Sequence, residues 1–167
     1  MTTVRMTSSL IVLMWLAGCA GSAPSPEQRQ ALEQAKEEAI EDILNTPLAA
    51  EDYNTEDSRC LSSHEYRSVD VLDDQHVVFR GSGERLWMNQ LRTRCVGLRQ
   101  DEVLRFEMRS NRVCDMDTFQ SLDQGLGFIR ASGTCTLGTF TPITPEQLEA
   151  IELAVKESRK APPASDD

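Results

Sequence analysis

Val69-Asp70-Val71-Leu72 and His76-Val77-Val78-Phe79, joined by Asp73-Asp74-Gln75, decide how this chain is read. Both flanks are rich in β-branched and apolar residues, and the polar triplet between them suits a tight turn, so the stretch reads as a β-hairpin. Working outward, Gly81-Ser82-Gly83-Glu84 turns the chain again into Arg85-Leu86-Trp87-Met88-Asn89. Trp87, in mid-strand, is expected in the core or at a barrel rim. From Val103 to Arg109 the period stays at two, with Leu104, Phe106 and Met108 on one face and Arg105, Glu107 and Arg109 on the other. Ser110-Asn111 then turns into Val113-Cys114, and a last strand is expected over Thr134 to Phe140. Asp117 to Gly127, with Gly125 and Gly127, is expected to be a long loop. The result is five to six short antiparallel strands at meander spacing, an open barrel or curled sheet.

On either side the period lengthens to that of a helix. Ser25 is a good N-cap, Pro26 suits the first helical position, and Gln28 completes a capping box. Ala31, Leu32, Ala35, Ala39, Ile40, Ile43 and Leu44 form one apolar stripe, with Glu27, Glu33, Glu37, Glu38, Glu41 and Asp42 elsewhere, and Asn45 and Pro47 end the helix. Thr144-Pro145-Glu146-Gln147 repeats the start signal ahead of Leu148, Ile151, Ala154 and Val155. The two starts read as independent uses of one efficient device rather than as a packed pair. The fold class expected is therefore α+β, mainly β. It is a small antiparallel meander held by two disulfides and flanked by an N-terminal and a C-terminal amphipathic helix.

Before the first helix lies a different kind of segment. Arg5 precedes an apolar run from Leu10 to Ala17, and Leu16-Ala17-Gly18-Cys19 closes it. Such a run rises only about 12 Å as a helix, far short of the roughly 30 Å hydrocarbon core, so a cleaved secretory signal is expected. The four closing residues resemble the signal of bacterial lipoproteins in general, which implies lipidation of Cys19. Ala20, not Asp, follows Cys19, and resemblance to the usual sorting pattern then implies the outer membrane, facing the periplasm. The expected organisation is signal peptide 1–18, lipidated tether 19–25, acidic helix 26–45, β domain 58–141, second helix 145–159 and disordered tail 160–167.

Setting Cys19 aside leaves Cys60, Cys95, Cys114 and Cys135, an even set in an oxidising compartment, which reads as two disulfides. Of the three possible connectivities, the nested one is expected: Cys95–Cys114 around one strand, and Cys60–Cys135 tying the start of the domain to its end. Gaps of 35, 19 and 21 residues lack the close pairs of a zinc site, so no metal is expected.

The formal net charge is −10. Residues 20–59 carry 3 basic and 10 acidic groups, whereas residues 60–140 carry 10 and 11, every basic one an arginine. Acidic flanks argue against nucleic acid and against attraction to anionic lipid. Two arginine pairs, Arg92 with Arg94 and Arg105 with Arg109, are candidates for binding a carboxylate or phosphate, as on peptidoglycan stems or lipid head groups. The alternative is a solvated strand face balanced by Glu84, Glu102 and Glu107.

Nothing points to catalysis or a cofactor. His64 and His76 have no helical partner for a metal, Ser62 and Ser63 beside His64 make no triad, and a GxSxG elbow is absent. Asp115 and Asp117, in Cys-Asp-Met-Asp, and Asp73 with Asp74 read as turn residues.

The lipobox, the four cysteines, Val71-Leu72-Asp73-Asp74 running into Val77-Val78-Phe79, and Cys135-Thr136-Leu137 together resemble a family of uncharacterised proteobacterial lipoproteins. The resemblance covers about residues 58 to 141, and the acidic helix reads as an addition to it. It implies one envelope domain and brings no activity. The function expected is non-enzymatic: binding or scaffolding an envelope protein or peptidoglycan while anchored to the membrane through Cys19. The alternatives are an inhibitor or ligand-binding module of the lysozyme-inhibitor type, presenting Asp117 to Gly127, and a small cell-wall or lipid hydrolase using His64 or His76 beside Asp115.

Overall fold

A computed structural model describes residues 24–47, 59–100, 102–108, 110–123 and 130–160. Cys19, the segment expected as signal, Arg109 and, of the expected tail, residues 161–167 lie outside them. The element order is α1 (Pro26–Leu44), β1 (Cys60–Ser62), β2 (Tyr66–Val71), β3 (His76–Gly81), β4 (Leu86–Gln90), β5 (Val103–Glu107), β6 (Arg112–Cys114), β7 (Thr118–Asp123), β8 (Arg130–Thr136), β9 (Phe140–Ile143) and α2 (Pro145–Arg159). This is a mainly-β α+β fold with two disulfides and flanking helices, as the sequence predicts.

The strands number nine among the described residues and form three open antiparallel sheets rather than one meander: β2-β3-β4-β9, β5-β7-β8 and β1-β6. The β2–β3 hairpin pairs Val71 with Val77 and Val69 with Phe79, and β3 pairs Phe79 with Trp87 on β4. Gly83 makes the next turn in the left-handed region, at φ 69°, where a Cβ would be strained. Three local expectations change. The segment expected as a loop from Asp117 begins as β7, which lies between β5 and β8; residues 124–129 lie outside the described residues. Thr134 to Phe140 is not one strand. The end of β8 and the start of β9 flank residues 137–139, because the chain leaves one sheet for another there. Val113-Cys114 does not follow β5 in its sheet but pairs with β1.

The four-stranded sheet has two apolar faces, and each builds a core. Val71, Val77, Phe79, Trp87 and Phe140 turn toward Leu61, Val113, Phe119, Leu137 and the loop residues Leu91 and Leu98. Leu72, Val78, Leu86, Met88 and Ile143 turn the other way, against Ile40 of α1 and Leu148, Ile151 and Val155 of α2. The molecule is thus layered as helices, central sheet, and the two smaller sheets. Burial on both faces explains why β3 and β4 read as near-continuous apolar runs.

The disulfides join Cys60 to Cys114 and Cys95 to Cys135, which overturns the nested pairing. Cys60 sits directly across from Cys114 in the β1–β6 register. Cys95 is brought to Cys135 by the loop after β4, where the Arg92 N–H donates to Thr136 O at 3.1 Å. The bridges therefore cross in sequence.

The helices also depart from expectation. Both capping boxes form, Ser25 with Gln28 and Thr144 with Gln147. Yet the helices pack on each other, and the Gln147 side chain joins them: its Nε2 donates to Ile43 O at 2.9 Å while its Oε1 accepts from Thr144 N. The buried face of α1 is rotated from the predicted stripe. Ala31, Leu32 and Ala35 are exposed, whereas Lys36 and Ile40 are buried and Ile43 and Leu44 half-buried. α2 buries Leu148, Ile151 and Val155. Burial of a large aliphatic side chain contributes about 1.5–3 kcal/mol. α2 thus has three such anchors and α1 one.

A buried amide closes the β4–β9 end of the sheet. Asn89 is fully buried; its Nδ2 donates to Gly138 O at 2.7 Å and its Oδ1 accepts from Gly138 N at 2.9 Å. A Cβ at Gly138 would lie 2.1 Å from Gln90 O, so only glycine fits this close approach. Asn89→Ala leaves the Gly138 N–H and C=O without these partners, with an expected loss of about 2–3 kcal/mol in chemical denaturation. A loss below about 1 kcal/mol would mean that the amide is not the clamp described.

Candidate functional site

The turn that opened the sequence reading is also where the structure concentrates charge. At the β2–β3 turn, Asp73 folds its carboxylate back on its own chain. Asp73 Oδ1 accepts from the N–H of Gln75 at 2.8 Å and of His76 at 2.7 Å, and lies 2.9 Å from His76 Nδ1. Aspartate favours such turns because its short side chain reaches the backbone two or three residues on. The other oxygen, Oδ2, accepts from Lys36 Nζ of α1 at 2.9 Å. Lys36 is 5% exposed, Asp73 7% and His76 0%, so this lysine–aspartate–histidine chain lies under α1, out of solvent.

Further carboxylates of α1 complete the cluster. Glu33 Oε2 lies 3.0 Å from Lys36 Nζ and 3.0 Å from Arg94 Nη2, and Arg94 Nη1 donates to Asp74 Oδ2 at 3.1 Å. Glu37 Oε1 is 3.3 Å from Lys36 Nζ, and its Oε2 is 3.6 Å from His76 Nε2. Neither Glu37 Oε1 nor His76 Nε2 has a hydrogen-bond partner among the described residues. The network is thus tight around Asp73 and loose around Glu37.

Electrostatics follows the geometry. Burial alone would raise the Asp73 carboxyl, but the bonds from His76, Lys36 and the Gln75 N–H outweigh it and hold Asp73 well below the ordinary aspartate value. Burial alone would lower the Lys36 ammonium; Asp73 and Glu33 overcome this and raise it. Glu33 is lowered, its burial outweighed by Lys36 and Arg94. A depressed aspartate contributes stability that is fully present above its unfolded value and is lost as pH falls through its folded value. Acidifying below the ordinary 3.8 of aspartate should therefore loosen α1 before the sheet, read as earlier loss of amide protection in residues 26–44 than in β3 and β4. Simultaneous loss in all three would count against this ordering.

Beside the cluster a cleft of about 500 Å³ opens between α1, the β2–β3 turn, the loop after β4 and the end of α2; Glu33, Asp74, Arg94, Arg99 and Arg159 line it. Arg159 is held across it by its bond to Leu72 O. The mixture of carboxylates and guanidinium groups gives the cleft no single sign.

Of the arginines singled out in the sequence, Arg94 lines this cleft and Arg92 and Arg105 do not; Arg109 lies outside the described residues. Arg92 lies 3.9 Å from Asp115 Oδ2, and Arg105 is on the exposed face of β5 opposite Gln120. His64 is exposed, with Nε2 3.2 Å from Asn111 Nδ2. Asp117 Oδ2 accepts from Cys114 N at 2.8 Å and Asp115 Oδ2 from Arg59 Nε at 3.2 Å, so this pair is built into the turn after the first disulfide. Sequence reasoning missed Lys36. One signal was available: it is the only lysine before residue 156 and it stands among glutamates. Among the described residues no group of His, Cys, Asp and Glu is arranged to hold a metal, and no helix is long and apolar enough to cross a membrane.

The fold and the cluster together define a small disulfide-stapled α+β domain whose buried charges join a helix to a sheet. The chain belongs to the family described as "Family of unknown function (DUF6491)", whose model matches residues 2–160. The match takes in both helices, so the acidic helix is part of the family pattern and not an addition to it. Neither the curated proteins nor the solved structures contain a match.

Proposed function

We propose that this protein is a non-enzymatic lipoprotein of the bacterial envelope. In this reading Cys19 is lipidated, the chain is held at the outer membrane facing the periplasm, and the β domain binds or scaffolds an envelope protein or peptidoglycan. The observation that carries the reading is the pair of crossed disulfides, since such bonds persist in oxidising compartments and are rare in the cytosol. Leu16-Ala17-Gly18-Cys19 supplies both the route to that compartment and the attachment point. Support for a non-enzymatic role comes from the cluster itself. Asp73, His76 and Lys36 are spent on one another in joining α1 to the sheet, and His76 is fully buried.

Fractionation of cells and labelling with a fatty-acid analogue test the anchor. The expected outcome is a labelled protein in the membrane pellet, with Cys19→Ala unlabelled and released to the soluble fraction. Crosslinking in whole cells followed by mass spectrometry tests the binding role and should recover at least one envelope component above background. An unlabelled wild type, or crosslinking that recovers nothing, would count directly against the reading.

A further inference from the structure

We propose that α1 is a releasable strap that sets how far the β domain stands from the membrane; the proposal rests on the lipid anchor at Cys19 argued above. Three observations carry it. First, α1 docks through one fully buried aliphatic residue, Ile40, with Ile43 and Leu44 half-buried beside it and charge for the rest, whereas α2 docks through three, Leu148, Ile151 and Val155. Burying an ion pair gives back in attraction roughly what it costs in desolvation, so Lys36–Asp73 fixes where α1 sits more than how firmly. Second, part of the lock is unsatisfied: His76 Nε2, fully buried beneath the helix, lacks a hydrogen-bond partner among the described residues, with Glu37 Oε2 standing off at 3.6 Å. A half-satisfied buried network favours opening, because water restores the missing bonds. Third, α1 forms no strand pairing or disulfide with the domain; its ties are side-chain contacts and the Gln147 bonds to Ile43 O and Thr46 O.

The consequence is a change of reach. With α1 docked, only the residues from Cys19 to Pro26 separate the lipid from the domain, at most about 25 Å of extended chain. With α1 released, the helix adds about 28 Å and residues 45–59 add up to about 50 Å. The domain then moves from beside the membrane to as far as about 100 Å from it, by contour length. Gln147, in the α2 capping box, holds the last turn of α1, so contact with either helix can bias the two states.

Hydrogen exchange on the mature chain, purified from whichever cell fraction holds it, tests the opening. Amides of residues 26–44 are expected to exchange at least about 100-fold faster than those of β3, β4 and α2, which is what an independent local opening looks like. Lys36→Met removes the cation at nearly constant length and should speed α1 exchange by a further factor of about 10, leaving β3 and β4 unchanged. Reach is read with the lipidated protein in vesicles carrying a head-group dye, by energy transfer to a second dye at Arg105→Cys. Lys36→Met should reduce the transfer. Protection of α1 equal to that of β4, equal acceleration of both by Lys36→Met, or unchanged transfer would each overturn the strap. A chain without lipid at Cys19 would overturn reach control together with the anchor, whereas an anchored chain with a fixed α1 would overturn the strap alone.

Discussion

Phe79→Ala is expected to lower the unfolding free energy by about 4 kcal/mol, measured from the denaturant midpoint at unchanged slope. Phe79 is fully buried at the centre of the central sheet. Its ring meets Tyr66 edge-on at 5.1 Å, Phe140 at 5.0 Å and Phe106 at 5.7 Å. Truncation removes the transfer free energy of the ring and leaves a cavity between the central sheet and the β5-β7-β8 sheet. Trp87 and the cross-linked loop at Cys95 border the same core, so the walls have little freedom to collapse. Each lost aromatic contact adds about 0.5–1.5 kcal/mol beyond area. Small domains have roughly 5–15 kcal/mol in all, so the variant should be partly unfolded at 37 °C. A loss under about 2 kcal/mol would mean that these rings do not form the centre of the core.

The second large effect concerns the crossed bridges. Cys60–Cys114 closes a separation of 54 residues and Cys95–Cys135 one of 40. In the chain-entropy account each restrains the unfolded chain by about 4 kcal/mol. Cys95→Ser with Cys135→Ser should lower stability by about that amount, and removal of all four cysteines should leave a chain without a cooperative transition at 37 °C. Thermal unfolding with and without reductant gives the magnitude. Peptide mapping without reductant gives the connectivity, and a peptide linking Cys60 to Cys135 or to Cys95 would refute the pairing described.

What the sequence revealed followed from how far each signal was local. The β2–β3 hairpin and β4 were legible because their apolar runs and turn residues are contiguous. Both helix starts were legible because a capping box lies within four residues. β1 was not, since three residues, Cys60–Ser62, are a strand only because β6 lies beside them. β7 was hidden by Gly125 and Gly127 farther along, which drew the whole segment toward a loop, although Phe119 and Ser121 alternate inward within it. The disulfide pairing depends on the β1–β6 contact and so was not available from spacing. The face of α1 was misjudged because apolar residues were counted, whereas the sheet beneath it offers Asp73 and His76 and selects Lys36. Of the charged site, Asp73 and Asp74 were visible as turn residues and His76 as the opening of a strand; their union with α1 is tertiary.

The crossing of the two bridges has a consequence for survival under attack by proteases. The cysteines divide the chain between residues 60 and 135 into three intervals. One cut in any interval leaves the fragments tied together. So do two cuts in any two different intervals, because each fragment then still holds a cysteine bonded to another fragment. A nested arrangement would release the middle piece after one cut on either side of it. The crossed chain therefore behaves as a closed mesh: a molecule nicked once, or once in each of two intervals, remains one covalent object, and its pieces can find their places again.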